Sequence, residues 1–137
     1  MKKVFIDTNI VLDLLGQREP FYEDAAKLFS LADRGKIKLY VSSLTIANSN
    51  YVLSKLKSAK EARVILIKFK VLVVIVELND KIIELSLNDE SFKDFEDGLQ
   101  YYTALENEAD ILITRNLKDF KSSKIPVMTA GQYLKSK

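Results

Sequence analysis

The chain contains no cysteine and no histidine in its 137 residues. The first absence removes disulfides, thiolate metal sites and cysteine nucleophiles together. The second removes a Ser-His-Asp triad, a His-ligated zinc site and a ribonuclease that uses histidine as acid and base. Acid–base or metal chemistry must then rest on carboxylates, hydroxyls, amides and lysines. Long hydrophobic runs are missing too. The longest wholly apolar stretch, 71–76, is far too short to cross a bilayer. After Lys2 and Lys3 an apolar run begins, but Asp7 and Asp13 interrupt it too early for a signal peptide. A cytoplasmic location without membrane contact is therefore expected. There is no repeat, linker or low-complexity segment, and the length suits one domain over residues 1–137.

Charge of either sign is nearly balanced, at +2 overall, so the total argues for nothing; its distribution says more. Residues 77–97 hold eight acids against Lys81 and Lys93, and residues 55–70 hold six bases against Glu61. From Arg115 onward only Asp119 opposes the basic residues. Such segregation fits a metal site beside a phosphate-binding rim, although either run taken alone reads first as a solvated helix face.

Patterning alternates strand and helix. Residues 2–6 read as a strand, and Thr8 or Asn9 can cap a helix that runs to Leu15 and stops at Gly16. Pro20 suits the first turn of a helix over 20–34, whose apolar positions recur at helical spacing and which Gly35 ends. Strands follow at 37–41, 71–76, 111–114 and 125–128. Helices follow over 44–57, 59–68, 79–87 and 95–108, with a last one after Thr129. Leu44, Ala47 and Tyr51 are expected to form the inner face of the helix over 44–57. The run 71–76 reads as a strand buried on both faces. The order predicts an α/β fold: three layers, with a parallel sheet of four to five strands covered by helices on both sides.

Candidates for chemistry cluster at strand ends and helix starts. Asp7 ends the first strand, where open α/β sheets place their ligands, and it is equally suited to cap the following helix. Asp94 and Asp97 stand three apart at a helix start, either complementing the helix dipole or sharing one side as cation ligands. Tyr101 and Leu105 continue the line of Asp97, so its carboxylate is aimed at the packed face and needs a partner. Asn116 lies just past the fourth strand and reads as a turn residue or as a second group facing the crevice. Asn48 sits in an apolar stripe, as a satisfied core amide or as part of the site.

The order of these pieces resembles the PIN-domain family, which includes the VapC-type toxin ribonucleases. Asp at the end of strand one, Ser-x-Leu-Thr before a helix, Asp-x-x-Asp at a late helix start, and Thr-Arg-Asn-x-x-Asp-Phe after strand four carry the resemblance over essentially the whole chain. The resemblance implies a ribonuclease using Mg²⁺ or Mn²⁺, with 5′-phosphate and 3′-hydroxyl products. It also implies an RNA substrate, an antitoxin partner and dimerisation. By position, the family's acids fall at Asp7 and Asp97, its second acid at Asn48 and its fourth at Asn116. Asp94 becomes an extra metal-site acid, and Thr8, Asn9 and Thr114 become supporting groups. Lys55, Arg63, Arg115 and Lys118 become the RNA-steering charges. An amide at position 48 departs from the family's usual Glu and predicts weakened activity, which Asn48→Glu should raise sharply. The alternative is a weakened PIN-fold module that binds nucleic acid or a protein. A phosphatase using Asp7 as nucleophile lacks its second Asp at Asn9, and a receiver domain should carry its phosphoacceptor at the end of the strand over 71–76, where Val76 is followed by Glu77 and Leu78.

Overall fold

A computed structural model describes residues 1–137. Five strands form one parallel sheet: β1 (Lys3–Ile6), β2 (Lys38–Ser42), β3 (Val74–Val76), β4 (Ile111–Ile113) and β5 (Val127–Met128), in the spatial order β3-β2-β1-β4-β5. Val4 sits between Leu39 and Ile111, and Phe5 between Tyr40 and Leu112, which fixes the central register. Successive side chains of a strand point to opposite faces, so this register sorts the core into two layers. Val4, Ile6, Leu39, Val41, Ile111 and Ile113 face one side. Phe5 and Leu112 face the other.

The first layer is covered by α1 (Thr8–Leu15), α2 (Tyr22–Asp33), α3 (Ser43–Leu56), α4 (Ala59–Phe69) and α7 (Ala130–Lys135). On the other side, α6 (Phe95–Glu106) presents Tyr101 and Ala104 to Phe5, Leu112 and Phe120, while α5 (Asp80–Leu87) packs on α6. Most starts are set by local caps: Ser42, Ser58, Asn79 and Thr129 each accept a backbone N–H from the first turn. The expected three-layer architecture is present. No helix is long and apolar enough to cross a membrane.

Several expectations are corrected. Only 74–76 of the run 71–76 is strand; Lys70–Leu72 forms a 3₁₀ turn, and Val71 is 84% exposed. β3 pairs with β2 alone, so it is the sheet's edge, half-covered rather than buried on both faces. On α3, Ala47 and Tyr51 point outward, and Thr45, Ser49 and Leu53 form the inner stripe. In that stripe the Thr45 hydroxyl bonds Thr8 and Gln100, and α3 packs on α1 and α4. The second helix begins at Tyr22 rather than at Pro20. β5 is limited to Val127–Met128.

Candidate functional site

Strand order reverses at β1, which has β2 on one side and β4 on the other, and a crevice opens there above the carboxyl ends. Asp7 leaves β1 at that point. Its backbone N–H bonds Ile113 O at 3.0 Å, and its side chain caps α1 by accepting from Thr8 N at 2.8 Å. Both readings of Asp7 are thus compatible in one residue. Its second carboxylate oxygen accepts from Thr114 Oγ1 at 2.9 Å, so β1 and β4 are joined through the side chain as well. Asn9 reinforces this, donating to Thr114 Oγ1 at 3.4 Å and accepting from Arg115 N at 3.4 Å. Burial pushes the Asp7 carboxyl above its ordinary value, against the hydrogen bonds from Thr114, Thr8 and Gln100 that lower it.

Gln100 is a member of the site that the sequence did not reveal. It is buried on α6, and its Nε2 lies 3.1 Å from Asp7 Oδ1, 3.1 Å from Thr8 Oγ1 and 2.9 Å from Thr45 Oγ1. Two N–H groups therefore serve three oxygens contributed by β1, α1 and α3. Its Oε1 is buried without a partner. The only hint in the sequence is its position, three residues after Asp97 on the same helix.

Asp97, the third residue of α6, reaches the same crevice half-buried. Its pKa is pushed up to about 7, first by burial and then by the charges of Asp7, Asp94, Asp119 and Glu96. Asp94 caps α6 by accepting from Glu96 N at 2.9 Å while still lining the cleft. Asn48 is half-buried, and its amide donates to Glu96 Oε1 at 2.8 Å. It is neither a sealed core amide nor a replacement acid; it tethers a carboxylate supplied by α6. Glu96 was not among the predicted site residues, since nothing in the spacing of 48 and 96 couples them.

The resulting cleft, about 320 Å³, also contains Asn116, Arg18 and Arg115. Asp13, 1% exposed, binds both arginines: Arg18 Nε at 3.1 Å and Arg115 Nε at 2.9 Å. These cations stand at the cleft wall already paired, so they do not neutralise Asp7 or Asp97. An adjoining opening shares Asp94 and Asp97 and is lined by Lys93, Lys118, Lys121 and Asp119. Lys118 therefore lies beside the acids as predicted. Lys55 lies over the Tyr51 ring and Arg63 lines a separate groove on α4, so the structure brings neither to the cleft.

No three acids converge tightly enough to form a ready-made cation cage. The donor set does fit Mg²⁺ or Mn²⁺ in an open manner, because Mg²⁺ commonly takes one or two carboxylates and completes its shell with water and substrate phosphate. Asp97, its pKa raised first by burial and then by four surrounding carboxylates, marks the place where positive charge is needed.

These features define a three-layer α/β protein with a carboxylate-rich cleft at the switch point of a parallel sheet. The chain belongs to the PIN-domain family, whose model, described as PIN domain, matches residues 3–118. Ribonuclease VapC1 of Aquifex aeolicus (strain VF5) is 34% identical over 139 residues, covering 96% of this chain and 93% of that protein. The fold is similar to a chain of a toxin–antitoxin complex from Klebsiella pneumoniae, with a TM-score of 0.69, 25% identity, and coverage of 93% and 97%. It is also similar to a chain of the DNA-bound VapBC structure from Salmonella typhimurium, with a TM-score of 0.71, 16% identity, and coverage of 95% and 99%.

Proposed function

We propose that this chain is a VapC-type ribonuclease that hydrolyses RNA phosphodiesters with Mg²⁺ or Mn²⁺ and serves as the toxin of a toxin–antitoxin pair. The observation that carries the reading is the meeting of Asp7 and Asp97 in one cleft, from distant parts of the chain, with no cation of the protein bound to either. The similarity to VapC1 supports the activity, and the fold's likeness to toxin–antitoxin complexes supports an antitoxin partner.

In this reading Asp7 and Asp97 hold the ion, with Asn116 and Asp94 beside them. The chemistry such an ion supplies is polarisation of the phosphoryl group and a lowered pKa for the attacking water. Asp7 is pre-oriented by Thr8, Gln100 and Thr114, so it need not reorganise when substrate arrives. Asp97, half-buried in the same cleft as Asp7, is placed to orient the water. Glu96, kept in place by Asn48, adds negative charge where the family's second acid would stand. Arg18 and Arg115 keep guanidinium N–H groups beyond their contacts with Asp13, and these suit a phosphate. Lys93, Lys118 and Lys121 give the RNA backbone an electropositive approach. With no histidine, hydrolysis to a 5′-phosphate and a 3′-hydroxyl is the expected outcome.

Purified protein incubated with a labelled structured RNA should cleave it with Mn²⁺ and not in excess chelator. An Asp7→Asn/Asp97→Asn double variant should lose that cleavage. Absence of wild-type cleavage with RNA still retained in a gel shift would replace the enzyme reading with a binding module.

A further inference from the structure

Beside the acidic cleft, and sharing Arg115 and Asn116 with it, lies a second cavity of about 350 Å³. That volume falls within the roughly 300–1,000 Å³ of small-ligand sites, which are mostly apolar with a few convergent polar groups. Here the apolar walls come from Ile10, Phe21, Ala25 and Ala130. Phe21 is 39% exposed, and the Arg115 guanidinium carbon lies 3.9 Å from its ring centre. Because Arg115 is also anchored to buried Asp13, the aromatic–guanidinium pair is fixed at the mouth between the two cavities. Unstacked RNA bases are recognised by such surfaces, through stacking on aromatic rings and guanidinium planes.

The remaining wall carries Asp24, from the first turn of α2, which forms no ion pair. Gly131 makes room for it: a Cβ there would come within 3.0 Å of Asp24 Oδ2. A carboxylate is an acceptor on both oxygens. Among the four RNA bases, guanine alone places two donors side by side on its pairing edge, the ring N1–H and the exocyclic amine. Adenine and cytosine set an acceptor next to their amine, and the single N–H of uracil lies between two carbonyl oxygens.

We propose that this cavity receives one base of the RNA adjoining the scissile phosphate, and that Asp24 selects guanine. The proposal rests on the ribonuclease reading for the position of the scissile phosphate, whereas the guanine preference is a property of the cavity itself. Phe21 and Arg115 provide the stacking surface, and Arg115 links base capture to the phosphate cleft.

The test uses fluorescein-labelled octauridylates carrying one central guanosine, inosine, adenosine or cytidine. Binding to the full chain is measured by anisotropy without divalent metal, and cleavage sites are mapped with Mn²⁺ on a random-sequence RNA. Guanosine should bind about tenfold more tightly than adenosine or cytidine, the effect of one good bidentate contact. Inosine, which lacks the exocyclic amine, should fall between. Asp24→Asn, which presents a donor to a donor, should erase the preference, and Gly131→Ala should weaken it by displacing the carboxylate. Equal binding of all four probes, a preference that survives Asp24→Asn, or no binding at all would overturn the proposal. Cleavage without guanine preference removes the subsite and leaves the ribonuclease standing. Guanine preference without cleavage does the reverse.

Discussion

Asp97 keeps its carboxylate beside Asp7, Asp94, Glu96 and Asp119 with no compensating cation from the chain. Its folded pKa, about 7, lies above the ordinary 3.8. Between those values the folded chain holds a proton that the unfolded chain releases, so raising the pH through this window costs stability, and the full cost is present above pH 7. Asp97→Asn should therefore raise the melting temperature of the metal-free protein at pH 8, with the difference closing as pH falls toward 4. Equal melting at pH 8 would show that the acids do not repel one another through Asp97. Position 48 gives a second test at this scale. Sequence alone expects Asn48→Glu to raise activity, but the structure places Glu96 Oε1 2.8 Å from the Asn48 amide. Asn48→Glu sets two carboxylates together and should lower unfolding stability at neutral pH by on the order of 1 kcal/mol, without a gain in cleavage rate. Adding Glu96→Gln relieves the clash and should make the double variant cleave faster than Asn48→Glu alone. The reverse ranking would count against Glu96 as the tethered acid.

At the scale of elements, Gln100 is the joint between α6 and the β1–α1–α3 corner. Gln100→Leu keeps the size but removes the donors, and should cost about 1–3 kcal/mol in urea unfolding because oxygens buried with it lose their partners. Gln100→Glu should be worse at neutral pH, since it brings another acid against buried Asp7. Were Gln100→Glu the milder change, the hydrogen-bond pattern assigned to this corner would be wrong. Elements also show where patterning stops being informative. A six-residue apolar run reads as a buried strand, yet its first half turns over the surface and its second half is the sheet's edge. Which strand becomes an edge depends on strand order, which no local run contains. The inner stripe of α3 departs from its apolar pattern for a related reason. Thr45 and Ser49 are buried small polar residues, Thr45 bonding Thr8 and Gln100, whereas the larger Tyr51 is left in solvent.

For the whole molecule, the parallel sheet gathers acids from the first and last thirds of the chain into one excess of negative charge. A divalent cation that binds only the folded arrangement must stabilise it by mass action. Millimolar Mn²⁺ should raise the melting temperature of the wild type and leave that of Asp7→Asn/Asp97→Asn nearly unchanged. An equal rise in both would place the bound metal elsewhere. The reading is independent of cleavage, so it separates a site that fails to load from one that loads and does not turn over.

The alternation of strands and helices, the cap residues and the placing of Asp7, Asp97 and Asn116 at element ends are local properties of the chain. They were legible because periodicity, capping and strand-end position depend on neighbours a few residues apart. The pairing of Asn48 with Glu96, the three-way role of Gln100, the capture of Arg18 and Arg115 by Asp13, and the departure of Lys55 and Arg63 from the cleft were not. Apart from Arg18, five residues beyond Asp13, each joins or separates residues far apart in sequence, and their approach is fixed by the order and register of the sheet beneath. Sequence by itself determined which groups were available for chemistry; the tertiary structure decided which of them share a cleft and which are already bound to one another.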